Sequence, residues 1–438
     1  MNANKTNKPK PDFGGKVELD VCVGKAELAA GRLIFRKDGA RQFSQFAYHE
    51  AWLRDAQYFN ISPDLAPAVT YQTRKPPGNG DSLFFLAMAD TEPDAWGRRV
   101  IARAHAKERK DNPALAALTE LDYLCAVDDF SRIGALRIRD TGGRYLRSTG
   151  EGRRTTPPML ELEKIMAASR AVELSQETTA DLKYLQGKGT SLGGMRPKCT
   201  ILDEDGTLAL GKFPSVDDER SVTRGEVLAL RLAQLAGIDA AGARIVTVQG
   251  SPVAIVRRFD RTTTDGRIPY LSGAALLQAS RDAEHAYTEV VDQMRSTSLN
   301  FAEDARQLWR RLVFNHLITN VDDHLQNIGF LYVDKNLWRL SPAFDLNPFP
   351  DKDRESKTWL SEDTGPITSI EQLLGQAARF ELKPDQAKQV VAEVVQALTQ
   401  WKSVALAPEV GLTSAELNGF APAFEHASLE EAKALMAK

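Results

Sequence analysis

Few residue types can both hold a divalent metal and activate a hydroxyl, and one stretch of this chain gathers them: "NHLITNVDDHLQNIGFLYVDKNLWRLSPAFDLNP", residues 315–348. Asp322 and Asn327 stand five apart, so one turn of loop returns the amide towards the carboxylate and both face a common centre. Asp345 lies eighteen residues beyond Asn327, after a run that reads as a two-stranded ribbon. A carboxylate to align an attacking hydroxyl, with an amide and a second carboxylate as hard oxygen ligands for Mg²⁺, is the set that phosphoryl transfer requires. The Asp-x-x-x-x-Asn spacing is that of kinase catalytic loops. Asp322 is therefore the expected base, and Asn327 and Asp345 are the expected metal ligands.

The same chemistry needs a cation and a backbone loop for the phosphates of ATP, and both are found upstream. Lys212 ends an apolar strand in "LALGKF"; Glu226, fourteen residues on, falls in the expected first turn of the next helix, where it can pair with that Lys. Before this hairpin, "GKGTSLGGMRPK" offers Gly193, Gly194 and Lys198 in a loop whose N–H groups can form an anion nest. Arg258 and Phe259, followed by Asp260, end a strand where the hinge of a nucleotide site would lie; a buried Phe with flanking ion pairs is the plainer reading. His324, between base and ligand, reads as a scaffold or nucleotide-side residue rather than a metal ligand, because no second His or Cys lies at ligand spacing. Asp323 reads as solvated or as a cap. Singly, each residue has an ordinary explanation: Lys212 as an edge-strand charge, Glu226 as a helix first-turn acid, Asp345 as the start of a turn. Their joint order is what points to a site.

The elements that must position these groups follow from periodicity. Residues 16 to about 75 alternate as strands ("KVELDVCV", "RLIFRKDG", "QFAYHE"). A helix then opens in "TEPDAWGRRV", with Asp94 as a candidate N-cap or first-turn acid, and "GALRIRD" gives one more strand. Residues 141–158, rich in Gly, Arg, Thr and Pro, form the best linker. Next come helices near 159–173 and 176–185, a hairpin in "KCTILDEDGTLALGKF", and a helix ending at Gly237. A second hairpin follows, turned at Gly250-Ser251-Pro252, and beyond residue 271 the chain is mainly helical. The basic run Arg98, Arg99, Arg103, Lys107, Arg109, Lys110 is expected as a solvated surface, or as a contact to DNA or a partner protein. "DKDRESKTWLSEDTG" is expected as a mobile surface segment. The fold class is α+β, two-lobed and protein-kinase-like. The expected divisions are a disordered tail (1–15), an N-terminal subdomain (16–150), a sheet-and-helix part that binds ATP (151–265) and a helical catalytic lobe (266–438).

Composition agrees and excludes several classes. The 438 residues are 42% hydrophobic and 26% charged, as globular domains are. A net charge of -3 gives no general attraction to nucleic acid. Three widely spaced Cys offer neither a disulfide framework nor a CxxC metal site, which suits a reducing cytoplasm. The polar, basic N-terminus has no apolar signal region, and no run reaches the length of a membrane helix.

"TSLGGMRPK", "LGKFPS", "RGE", "VRRFDR", "NVDDHLQN" and "PAFDLNP" occur in the order found in HipA-type serine/threonine kinases, the toxins of HipA–HipB toxin–antitoxin modules. This resemblance covers about 190–350 and extends more weakly over "DTEPDAWGRRV" and "RIGALRI". It implies Asp322 as base, Asn327 and Asp345 as Mg²⁺ ligands and Lys212 as the ATP-phosphate Lys. It also implies Ser191, with Thr190 beside it as second choice, as a self-inhibiting autophosphorylation site. A phosphoserine carries about -1.5 to -2 charge and cannot share a nest with ATP phosphates. The partners implied are a HipB-like helix-turn-helix antitoxin, operator DNA reached mainly through it, and an aminoacyl-tRNA synthetase substrate, the glutamyl enzyme by family default. Phosphorylating that substrate would arrest translation and growth. Two other functions share these residues: a small-molecule kinase of related fold, and a catalytically silent co-repressor or scaffold.

Overall fold

Alternation in the first quarter of the chain folds as an antiparallel sheet. The computed structural model describes residues 15–24, 28–76, 78, 80–147, 158–186, 194–262, 264, 266–350 and 355–436. Nearly all of the expected tail, most of the 141–158 linker, and Thr190, Ser191 and Gly193 lie outside the described residues. Strands Lys16–Val23 (β1), Ala29–Asp38 (β2), Arg41–Tyr48 (β3), Gln72–Thr73 (β4) and Leu136–Asp140 (β5) pair in the order β4-β3-β2-β1-β5. Helix Ala95–Asp111 leaves this region capped by Asp94, whose carboxylate accepts the Gly97 N–H at 2.7 Å. Its Trp96, Val100 and Ala104 stripe packs with helices Leu162–Glu173 and Thr179–Gln186 against one face of the next sheet.

That sheet is Lys198–Leu202 (β6), Leu208–Lys212 (β7), Ala243–Val248 (β8) and Ser251–Arg257 (β9), ordered β6-β7-β9-β8. The Asp-Gly hairpin forms as expected. The second hairpin turns one residue earlier than expected. Val248 pairs with Ser251, and Gln249 and Gly250 both have positive φ, the two-residue turn whose twist matches its strands. Ser251 and Pro252 belong to β9; Pro252 is tolerated because pairing with β7 starts only at Ala254.

Helix Val222–Leu235 lies against this sheet and ends in Gly237 at φ 74°, with the Ile238 N–H donating to Ala233 O at 2.9 Å. The "RGE" triplet in its first turns does three separate jobs. Arg224 pairs with Glu416 at 3.1 Å. Gly225 admits the Phe420 ring, which a Cβ would meet at 2.7 Å. Glu226 turns inward.

The remaining lobe is helical, around Tyr287–Thr297, Phe301–Leu317 and Pro384–Leu398. It carries the sheet Tyr270–Ser272 (β10), Gly329–Asp334 (β11), Leu337–Leu340 (β12) and a ribbon Trp359–Ser361 (β13) and Gly365–Pro366 (β14). For residues 355–365 the ribbon corrects the expectation of a mobile surface segment; 351–354 lie outside the described residues. Thr358, Leu360 and Ser361 are buried, because Trp359 bridges to Ala286 and donates its N–H to His285 O at 2.9 Å. Part of the basic run is also tied down. Arg98 pairs with Glu120 at 2.8 Å, and Arg103 pairs with Glu177 at 3.0 Å while donating to Val172 O at 2.7 Å.

Candidate active site

The candidate site lies where β7, helix Val222–Leu235, the 320–328 loop and the segment after β12 converge. Lys212 closes β7, and its ammonium reaches Glu226 Oε1 and Asp345 Oδ1 at 2.6 Å each. Glu226 is in the helix's second turn rather than its first, since the helix begins at Val222 behind Ser221, and it is buried. Burial alone would lower the Lys212 ammonium, yet Asp345 and Glu226 hold it above the usual Lys range. Burial would raise Asp345; Lys212, with Lys198 adding, outweighs that and brings it down to about 2. Burial leaves Glu226 raised despite its Lys partner. Two cations and a firmly ionised carboxylate thus meet at the cleft. Asp345 also holds φ at 55°, a left-handed conformation uncommon outside glycine, and such backbones cluster at functional sites.

Lys198 stands directly across from Lys212 in the β6–β7 register, so both side chains leave the same face. It makes a buried pair with Asp94 at 3.1 Å, the N-cap of helix Ala95–Asp111, and the Trp96 N–H donates to Gly194 O at 3.3 Å. Gly194 has φ 107°, and a Cβ there would lie 2.6 Å from the Lys198 Nζ. Neither contact was foreseen, since 104 residues separate Asp94 from Lys198.

Across the cleft, Asn327 donates its amide to Asp322 O at 2.9 Å, which fixes the loop between them and leaves the Asn327 carbonyl oxygen as a possible ligand. The Asp322 carboxylate is 38% exposed and accepts from the Lys357 ammonium. Asp323, expected to be solvated, is buried instead. It accepts from the Tyr287 hydroxyl and the Lys357 N–H, both at 2.8 Å, and burial pushes its carboxyl up to about 6. His324 Nε2 lies 4.0 Å from Asp322 Oδ1, and burial lowers its pKa. Asn327 and Asp345 share the wall of a cavity of about 30 Å³ with Asp323 and Tyr287. An Asn oxygen and an ionised Asp are the sparse, hard donor set that fits Mg²⁺.

Arg258 and Phe259 sit apart from this cluster. Arg258 is buried, forks onto Asp260 and donates to Ser131 O at 2.5 Å, while Arg261 donates to Arg132 O at 2.7 Å. Asp260 in turn accepts the Gly134 N–H at 2.7 Å. These groups tie β9 to the "RIGALRI" segment. Phe259 is half-buried, its ring centroid 5.5 Å from that of Phe344, one residue before Asp345. The structure therefore brings together Lys212, Glu226 and Asp345, and separately Asp322 and Asn327, with Asp345 and Asn327 lining one cavity.

Comparison with known proteins bears on the fold and the family. The family described as the HipA-like C-terminal domain matches residues 190–402. A Sinorhizobium fredii protein named "Putative kinase Y4mE" is 26% identical over 180 residues, covering 37% of this chain and 43% of its own. A second from that organism, "Putative kinase Y4dM", is 29% identical over 224 residues, covering 48% and 53%. The chain thus spans about half the length of these relatives. Among solved structures, a chain of the Shewanella oneidensis complex of HipA, HipB and operator DNA superposes with a TM-score of 0.64. It covers 96% of this chain and 99% of its own at 15% identity, a likeness that shows the fold. The two-lobed, kinase-like α+β fold expected from the motifs is the one present.

Proposed function

We propose that the protein is an ATP- and Mg²⁺-dependent serine/threonine protein kinase, a reading supported by the match of residues 190–402 to the HipA-like C-terminal domain. The observation that carries this reading is the Lys212 ammonium bridging Glu226 and Asp345 at 2.6 Å each, opposite the loop that Asn327 closes onto Asp322. Lys212, kept charged by its two carboxylates, contacts the ATP phosphates, and Glu226 fixes its position. Lys198 on β6 and Gly194 before it cradle the phosphates, and Gly193, outside the described residues, is assigned the same role from its place in the sequence. Asn327 and Asp345 hold Mg²⁺, which when bound neutralises and orients those phosphates. Asp322 aligns the acceptor hydroxyl and takes its proton, a contribution of about 10²–10⁴ in rate. His324 packs beside Asp322 on the nucleotide side, and Arg258 and Phe259 form the floor behind the hinge.

The finer reading follows the family. Ser191 is the autophosphorylated residue, and a phosphate there closes the site to ATP by repulsion. The protein substrate is an aminoacyl-tRNA synthetase, with translation and growth arrest as the result. A HipB-like antitoxin binds the chain and brings it to operator DNA as co-repressor, a role supported by the Shewanella neighbour's presence in such a complex. Among the described residues no helix is long and apolar enough to cross a membrane.

Intact-mass spectrometry after incubation with Mg²⁺ and ATP tests the reading. A dephosphorylated wild-type sample should gain one phosphate, and Asp322→Asn and Ser191→Ala should gain none. A gain that survives Ser191→Ala moves the acceptor, to Thr190 first. No gain by any protein, together with no nucleotide binding, leaves the co-repressor role standing alone.

A further inference from the structure

The loop from Asp322 to Asn327 contains no Lys or Arg, yet a cation sits on Asp322, brought there by a segment remote in sequence. The Lys357 ammonium donates to Asp322 Oδ1. The two side chains are 58% and 38% exposed, and an ion pair so open to water contributes about 0–1 kcal/mol to folding. Stability therefore does not account for this ion pair, while the backbone beneath Lys357 is fastened to the same loop by separate contacts. The Lys357 N–H donates to Asp323 Oδ1 at 2.8 Å and the Thr358 hydroxyl to Asp323 O at 2.7 Å. Ser356 Oγ donates to Thr358 O and accepts the Ile367 N–H, both at 2.8 Å. Asp323 is itself held by Tyr287 from another helix. A flexible four-carbon stem thus rises from a rigid base, with its charged end on the part-exposed Asp322 carboxylate.

We propose that Lys357 is a catalytic residue, whose ammonium donates to the γ-phosphoryl oxygens of ATP as that group passes to the acceptor hydroxyl aligned by Asp322. The proposal rests on the kinase reading above. In the step, the acceptor oxygen bonds to the γ-phosphorus, and the bond from that phosphorus to the bridging oxygen breaks with its electron pair left on ADP. The hydroxyl proton goes to the Asp322 carboxylate. Lys357 stays protonated throughout; it offsets charge on the transferring oxygens and keeps Asp322 turned towards the acceptor. Lys212 holds its phosphates from the sheet side of the cleft, where Glu226 and Asp345 fix it, whereas Lys357 is the cation on Asp322.

The test is single-turnover transfer from radiolabelled ATP into the dephosphorylated full-length protein. Wild type, Lys357→Met, Lys357→Arg and Asp322→Asn are compared, with nucleotide affinity measured in parallel by displacement of a fluorescent ATP analogue. Lys357→Met should slow transfer about 10²–10³-fold, the loss seen when one transition-state donor is removed. Its nucleotide affinity should stay within about twofold of wild type, and Lys357→Arg should recover a tenth or more of the rate, roughly. Unchanged or faster transfer by Lys357→Met, with wild type active, overturns the proposal and makes Lys357 a plug on Asp322. A loss of affinity as large as the loss of rate overturns it as well. No transfer by wild type overturns the kinase reading itself, and the Lys357 role falls with it.

Discussion

Two lysines flank the cleft, and they are held in opposite ways. Lys212 is largely enclosed, 13% exposed, and is held by two carboxylates at 2.6 Å each. Lys357 shares one half-exposed carboxylate with water, and only its backbone is fixed. A buried charge needs its partners, because removing one leaves the others unpaired in a poorly solvated place. A charge at the mouth can exchange its partner for a substrate at little cost. The first arrangement suits a permanent position for phosphates, and the second suits a contact made during reaction.

Substitutions can separate the two. Lys212→Met leaves the buried Glu226 and the part-exposed Asp345 without their cation and should cost about 2–4 kcal/mol of stability, besides abolishing transfer; urea unfolding checks it. A wild-type denaturation curve from this variant would mean that the cluster is more solvated than its geometry implies.

Asp323, which anchors Lys357, gives the next effect. Its folded carboxyl titrates near 6, above its unfolded value of about 3.9, so the native state binds more protons between those pH values. Stability from this group is therefore present at low pH and lost as pH rises from about 4 to 6. Asp323→Asn should remove about 2–3 kcal/mol of that fall, read as the difference between variant and wild-type unfolding across the range. Parallel pH profiles would show that Asp323 is ionised at little cost.

Lys357→Met should have the smallest effect on folding, within about 1 kcal/mol, even though it slows transfer. Calorimetry on the protein used for the kinetics makes the contrast with Lys212 direct. A large drop in melting temperature would erase it.

Much of this site could be read from the sequence where the relations are local. The Asp322–Asn327 spacing, the ribbon before Asp345 and the alternation that ends at Lys212 each depend on neighbours within one element. The spacing to Asn327 singles out Asp322, but nothing nearby shows that Asp323 beside it is buried. Their fates are decided by Tyr287 and Lys357, 36 and 34 residues away. The charged run around Lys357 reads as surface; the only hint of its fastening is the Trp359-Leu360 pair, which needs a core to enter. Asp94 could be read as a helix cap but not as the partner of Lys198, because that contact joins two separate sheets' worth of chain.

The most direct test of the central claim is phosphate transfer by Asp322→Asn against wild type, with ATP binding measured on both. The account predicts equal nucleotide affinity and a transfer rate about 10²–10⁴-fold lower in the variant. Equal rates in the two proteins, or no transfer by a dephosphorylated wild type that binds ATP, would contradict it.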